Sequence, residues 1–145
     1  MTAARDFPSA GRPFFIEGPV GRIETLASCP APEAARASAV ILHPHPLYGG
    51  TMHNKVVSTL ARAFLELGLH TLRFNFRGTG ASEGSFDHGE GESADLMAVL
   101  AWLRVHRPQD ERCIVPRQQA RRASLQWPRR SISIRRHRYP ACRGC

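Results

Sequence analysis

The sequence predicts an α/β fold: an antiparallel hairpin opens it, a β-α-β-α run follows, and the C-terminal stretch carries no regular pattern. Three observations support this. Two short apolar-alternating segments flank a Gly-Pro turn. Strand-like and helix-like periods then alternate, which implies parallel strands with helices on the sheet faces. Finally, residues 1–110 hold ten Lys/Arg against eleven Asp/Glu, whereas residues 111–145 hold ten Arg against Glu111 alone.

The hairpin is Phe14-Phe15-Ile16-Glu17, a turn at Gly18-Pro19-Val20-Gly21, and Arg22-Ile23-Glu24-Thr25-Leu26-Ala27. Its turn residues supply the backbone angles a tight reversal needs. After a Pro- and Ala-rich connector, Ala39-Val40-Ile41-Leu42 is a continuous apolar run, as expected of a strand buried on both faces. Asn54 to Leu67 is helical, with Val56, Leu60, Phe64 and Leu67 as an apolar stripe that Val57 and Ala61 widen. Leu69 to Phe76 forms the next strand, and a Gly-rich loop runs from Arg77 to about Gly91. A second helix is predicted from Glu92 to Val105 on Leu96, Leu100 and Leu103. Glu90, Glu92 and Asp95 near its start suit the helix dipole, and Pro108 ends it.

The organisation weakens after Asp110. Cys113-Ile114-Val115 begins like another buried strand and then meets Pro116, and Arg pairs at 121–122, 129–130 and 135–136 break every later apolar pair. The expected division is residues 14–110 as a domain portion and residues 111–145 as an Arg-rich tail. That tail is either a disordered basic segment or the product of a shifted reading frame. The frame reading is favoured because the change falls where the next core strand should form. A missing fifth strand would leave Ala39–Leu42 as an open edge and helix side chains wet, an aggregation-prone arrangement.

Length permits one ordinary domain and not two. Met1 to Arg12 carries Arg5, Asp6 and Pro8, with no export signal, and no run approaches membrane-spanning length; a cytoplasmic protein without a membrane partner is expected. The scattered Cys29, Cys113, Cys142 and Cys145 suggest no disulfide framework, and the terminal C-x-x-C has no second pair to complete a metal site. Trp127 and Tyr139 between arginines would suit nucleic acid or an anionic surface, but the lack of a binding fold weighs against it. Nothing in the sequence indicates the oligomeric state.

Two motifs carry the chemistry. His43-Pro44-His45-Pro46-Leu47-Tyr48-Gly49-Gly50-Thr51-Met52-His53-Asn54 joins the third strand to the first helix, and Asn75-Phe76-Arg77-Gly78-Thr79-Gly80-Ala81-Ser82-Glu83-Gly84 follows the fourth strand. Together they resemble the α/β-hydrolase superfamily, in a bacterial branch similar to dienelactone hydrolases and serine esterases, over about residues 14–110. The resemblance implies an incomplete α/β-hydrolase sheet and a serine hydrolase of small ester or acyl substrates, with no cofactor.

In such a fold the loop after the third strand gives one backbone N–H to the oxyanion hole. Pro44 and Pro46 have no N–H, so His45, Leu47 and Tyr48 are the candidates, with His45 preferred. His43, His45 and His53 lack an accompanying carboxylate or cysteine at ligand spacing, so no metal is expected. Gly80-Ala81-Ser82-Glu83-Gly84 matches G-x-S-x-G, yet no helical pattern follows at once, as a nucleophile elbow requires. Asp87 and His88 lie too close in the same loop to complete a triad around Ser82. The resemblance implies an elbow after Cys113-Ile114-Val115, where Pro116-Arg117-Gln118-Gln119 stands instead. Ser124, Ser131, Ser133 and His137 offer no replacement triad. The expectation is a truncated, inactive hydrolase-family product.

Overall fold

The computed structural model describes residues 7–8, 11–31 and 36–116. Sequence expectations on Trp127, Tyr139, the later serines, His137 and Cys142/Cys145 lie outside the described residues.

Strands Phe14–Gly18 (β1) and Gly21–Ser28 (β2) form the antiparallel hairpin, with Gly18 opposite Gly21. Ala37–Ile41 (β3), His70–Phe74 (β4) and Arg112–Ile114 (β5) complete a five-stranded sheet in the order β1-β2-β4-β3-β5. β2 pairs antiparallel with β4, and β3 pairs parallel with both β4 and β5. Two helices, Lys55–Glu66 (α1) and Glu90–His106 (α2), connect β3 to β4 and β4 to β5. The α/β expectation holds, and the sheet is open.

One face carries the larger core. Val40, Leu42, Leu72, Phe74 and Phe76 meet Leu96, Val99, Leu100 and Leu103 of α2, all buried. Alternation along β4 sends Leu72 and Phe74 to this face. On the other face Ile41 receives Val57 and Ala61 of α1, with Leu60 and Phe64 half-buried beside them. The buried stripe of α1 is therefore rotated from the expected one. The short Val57 and Ala61 side chains sit over Ile41, while Val56 and Leu67 fall on the flanks, 47% and 67% exposed.

α2 begins earlier than its apolar period suggests because Glu92 turns back. Its Oε1 accepts from Asp87 N–H and its Oε2 from Gly89 N–H, each at 2.8 Å, satisfying donors before the first turn. Glu92 and Asp95 are fully buried, so they tie the preceding loop rather than only complementing the helix dipole.

The expected open edge at β3 is narrower than the sequence suggested. Ala37, Ser38 and Ala39 pair with Arg112, Cys113 and Ile114, and the register stops there. The core Leu and Phe side chains stay buried under α2, and Cys113 of β5 packs against the same cluster. Burial in this edge pushes the Cys113 thiol up to about 12. Among the described residues no helix is long and apolar enough to cross a membrane.

Candidate functional site

Two loops leave the carboxyl ends of the parallel strands β3 and β4, the side of an open α/β sheet where ligands bind. The first runs from Leu42 to Asn54. At its base His43 is fully buried, edge-on to the Phe76 ring with centroids 5.0 Å apart. Phe76 N–H donates to His43 Nε2 at 3.1 Å, so that nitrogen carries no proton. Nδ1 therefore carries it, 2.6 Å from the Pro44 carbonyl oxygen. Burial holds the imidazole below its ordinary pKa, partly opposed by the Pro44 bond.

His45 opens a 3₁₀ turn, Pro46–Tyr48. Its Nδ1 accepts from Leu47 N–H at 3.2 Å, and its carbonyl accepts from Tyr48 N–H at 3.1 Å. Gly49 then takes the left-handed conformation at φ +72°, its N–H bonded to the Pro46 carbonyl. Of the three candidate donors, Leu47 and Tyr48 have committed amides. Among the described residues the His45 N–H has no hydrogen-bond partner. The Leu47 and Tyr48 side chains project into solvent, 68% and 88% exposed.

The second loop, Asn75 to Gly89, is tied most densely between Asn75 and Glu83. Asn75 N–H donates to the Glu24 carbonyl at 2.9 Å, Phe76 N–H to His43, and Arg77 N–H to Asp95 Oδ2 at 3.0 Å. The Arg77 guanidinium also grips Asp95, with Nη2 2.8 Å from Oδ1, and this bond raises the guanidinium pKa further. Asn75 bridges the two loops: its Oδ1 accepts from Met52 N–H, and its Nδ2 donates to Glu24 Oε2, each at 2.8 Å. Glu24 Oε2 also takes Ala81 N–H at 2.8 Å.

Ser82 lies within this lattice. Its Oγ donates to the Asn75 carbonyl at 2.6 Å and accepts from Glu24 N–H at 2.9 Å, while its own N–H bonds the Thr79 carbonyl. The side chain is buried, and α2 starts only at Glu90. Asp87 and His88 are exposed and make no bond to Ser82 Oγ, and His88 sits at φ +51°. The adjoining Glu83 carboxylate accepts Arg22 N–H at 2.6 Å, which holds it below the usual carboxylate range.

The loops meet through rings. The His45 and Phe86 centroids are 5.0 Å apart, as are those of Phe86 and His88, and Tyr48 lies edge-on to His45 at 5.3 Å. His53 is exposed on the first loop, its N–H bonded to Thr51 Oγ1. The His43-x-His45 pair does not converge on a common point, since both His43 nitrogens face backbone groups. An open cleft of about 440 Å³ between the hairpin and the end of α2, lined by Phe15, Ile16, Ala98, Trp102 and Val105, includes no residue of either loop. Sequence reasoning missed Glu24, Asn75 and the pairing role of Asp95. Asn75 stands at the head of the Phe76-Arg77-Gly78 motif, the one signal that could have drawn attention to it.

Comparison with known proteins agrees with this layout. The family described as X-Pro dipeptidyl-peptidase (S15 family) matches residues 22–115. An α/β serine hydrolase homologue from Coxiella burnetii is 48% identical, with a TM-score of 0.73, over 76% of this chain and 52% of its own. A lidless α/β serine hydrolase from Xanthomonas campestris is 45% identical, with a TM-score of 0.71, over 76% of this chain and 51% of its own. An uncharacterized protein of Rickettsia prowazekii is 46% identical over 95 residues, 65% of this chain and 39% of that protein. The chain thus spans about half the length of the similar structures.

Proposed function

This chain belongs to the X-Pro dipeptidyl-peptidase (S15) family, and from that premise we propose that residues 14–110 form the oxyanion side of a serine hydrolase acting on small ester or acyl substrates, in a chain that by itself is catalytically silent. The His45 N–H carries this reading. It has no partner among the described residues and lies at the carboxyl end of a central parallel strand, where acyl-transfer enzymes of this architecture put one oxyanion donor. A peptide, as the family's description suggests, and an ester, as the dienelactone-hydrolase-like motifs suggest, both pass through a tetrahedral oxyanion that such a donor stabilises.

Ser82 is a structural serine in this proposal. Its hydroxyl already donates and accepts inside the protein, and no helix follows it to lift the oxygen out. The residues after 115, where the family match ends, are attributed to a shifted reading frame, which a translation of the gene in the other frames tests directly. Another frame should restore a G-x-S-x-G, then an Asp and a His. On p-nitrophenyl acetate the purified chain should give neither burst nor turnover above the blank. Ser82→Ala should leave that result unchanged and lower stability by about 1–3 kcal/mol, because the Asn75 carbonyl and Glu24 N–H lose a buried partner. A burst that disappears in Ser82→Ala would overturn the proposal.

A further inference from the structure

The His45 amide, without a partner among the described residues, belongs to the Pro44–His45 peptide unit, and the other end of that unit is closely held. In a trans peptide the C=O and N–H lie in one plane and point in opposite directions. The Pro44 oxygen is 2.6 Å from His43 Nδ1, which carries the proton because Nε2 accepts from Phe76 N–H. Gly50 packs against the same carbonyl, so closely that a Cβ there would collide with it, and Gly50 N–H reaches the His45 carbonyl at 3.4 Å. Pinning the Pro44 oxygen toward the buried imidazole turns the His45 N–H the opposite way, away from the core.

We propose that His43 is a positioning residue for the oxyanion donor: its Nδ1–H fixes the Pro44–His45 peptide plane, while its Nε2, through Phe76 N–H, references that plane to the end of β4. The inference rests on the reading of His45 N–H given above for its catalytic meaning. Its geometry stands without it. A hydrogen bond to a peptide oxygen also polarises that peptide and makes its N–H a better donor. His43 thus orients and strengthens the same group without touching substrate. Nε2 has a different task, since Phe76 N–H heads the tied second loop. A change that removes both contacts differs in kind from one that removes only the Phe76 contact.

That difference supplies the test, made on the whole ¹⁵N-labelled chain by solution NMR. Long-range ¹H–¹⁵N correlations of His43 should show a protonated Nδ1 and a bare Nε2. Asparagine places an amide donor near the Nδ1 position and offers nothing to Phe76; leucine removes both contacts. Residual dipolar coupling at His45 N–H should be retained in His43→Asn and changed in His43→Leu, while Phe76 N–H exchanges faster in both. The reversed tautomer, an unchanged His45 coupling in all three proteins, or an equal change in both variants would overturn the proposal. Should His43→Leu fail to fold, the wild-type tautomer and the His43→Asn coupling still decide. Titration with acetate as a carboxylate probe reads the oxyanion assignment separately. It should move the His45 N–H resonance downfield in wild type and His43→Asn. No acetate shift, with the couplings as expected, would sink the oxyanion reading and leave the positioning role of His43 standing.

Discussion

The two loops at the carboxyl ends of β3 and β4 are close neighbours with opposite constructions. The second, Asn75 to Gly89, directs its polar groups inward: the Asn75, Phe76 and Arg77 amides, the Ser82 hydroxyl and the Arg77 guanidinium all have protein partners. The first, Leu42 to Asn54, is equally well braced but leaves the His45 N–H without a partner among the described residues and shows Leu47 and Tyr48 to solvent. On the proposal above, the glycine-rich motif with a serine at its centre serves as scaffold, and the proline-flanked turn presents the His45 N–H.

The strongest way to break this contrast is to cut the second loop from α2. Asp95→Ala leaves the buried Arg77 guanidinium without its hydrogen-bonded partner, the pair being 8% and 1% exposed at the side chains. Losing one member of such a pair costs about 3–5 kcal/mol. Urea unfolding should show that loss as a lower midpoint at nearly constant slope, and a loss under about 1 kcal/mol would mean the pair is surface-like. His43 gives a smaller effect at the junction of the loops. Its folded-state pKa is lowered, so below about 6.5 the unfolded chain takes up a proton that the folded one resists. Its contribution is therefore complete above that pH and declines as the pH falls through it. Unfolding free energy measured between pH 5 and pH 7.5 should rise with pH more steeply in wild type than in His43→Asn; identical slopes would remove the buried neutral histidine from the account. The smallest effect belongs to the exposed turn. Tyr48→Ser should change stability by no more than about 0.5 kcal/mol, since the side chain is 88% exposed. A larger loss in thermal unfolding would show that its edge contact with His45 braces the loop.

Much of this arrangement was legible before the structure. Periodicity located both helices and the hairpin because each buries one face against a single sheet, and the prolines at 44 and 46 reduced the oxyanion candidates to three amides. The missing helical pattern directly after Gly84 was also legible, and the helix starts only at Glu90. What could not be read depends on distant partners. Glu92 and Asp95 look like ordinary dipole-complementing acids at a helix start, and only the folded chain shows them buried and bonded to Gly89 and Arg77. The orientation of α1 was misjudged because a stripe several residues wide does not say which flank meets Ile41. The edge of β3 was judged too open because three residues before a proline are a weak strand signal, yet Arg112–Ile114 pair in register.

The ties of Ser82 have a further consequence for how the second loop comes into being. The bonds from Ser82 Oγ to Glu24, from Asn75 to Glu24 and from Asn75 to Met52 span 58, 51 and 23 residues of chain. None of them exists until β2, β4 and the start of α1 have been brought side by side, so the closure entropy of long segments is spent before any of these contacts forms. The loop is therefore not a portable module. A peptide of residues 75–89 retains the glycines and the serine but none of the cross-chain partners that hold them, and grafting the same letters onto another sheet would transfer a sequence without its shape.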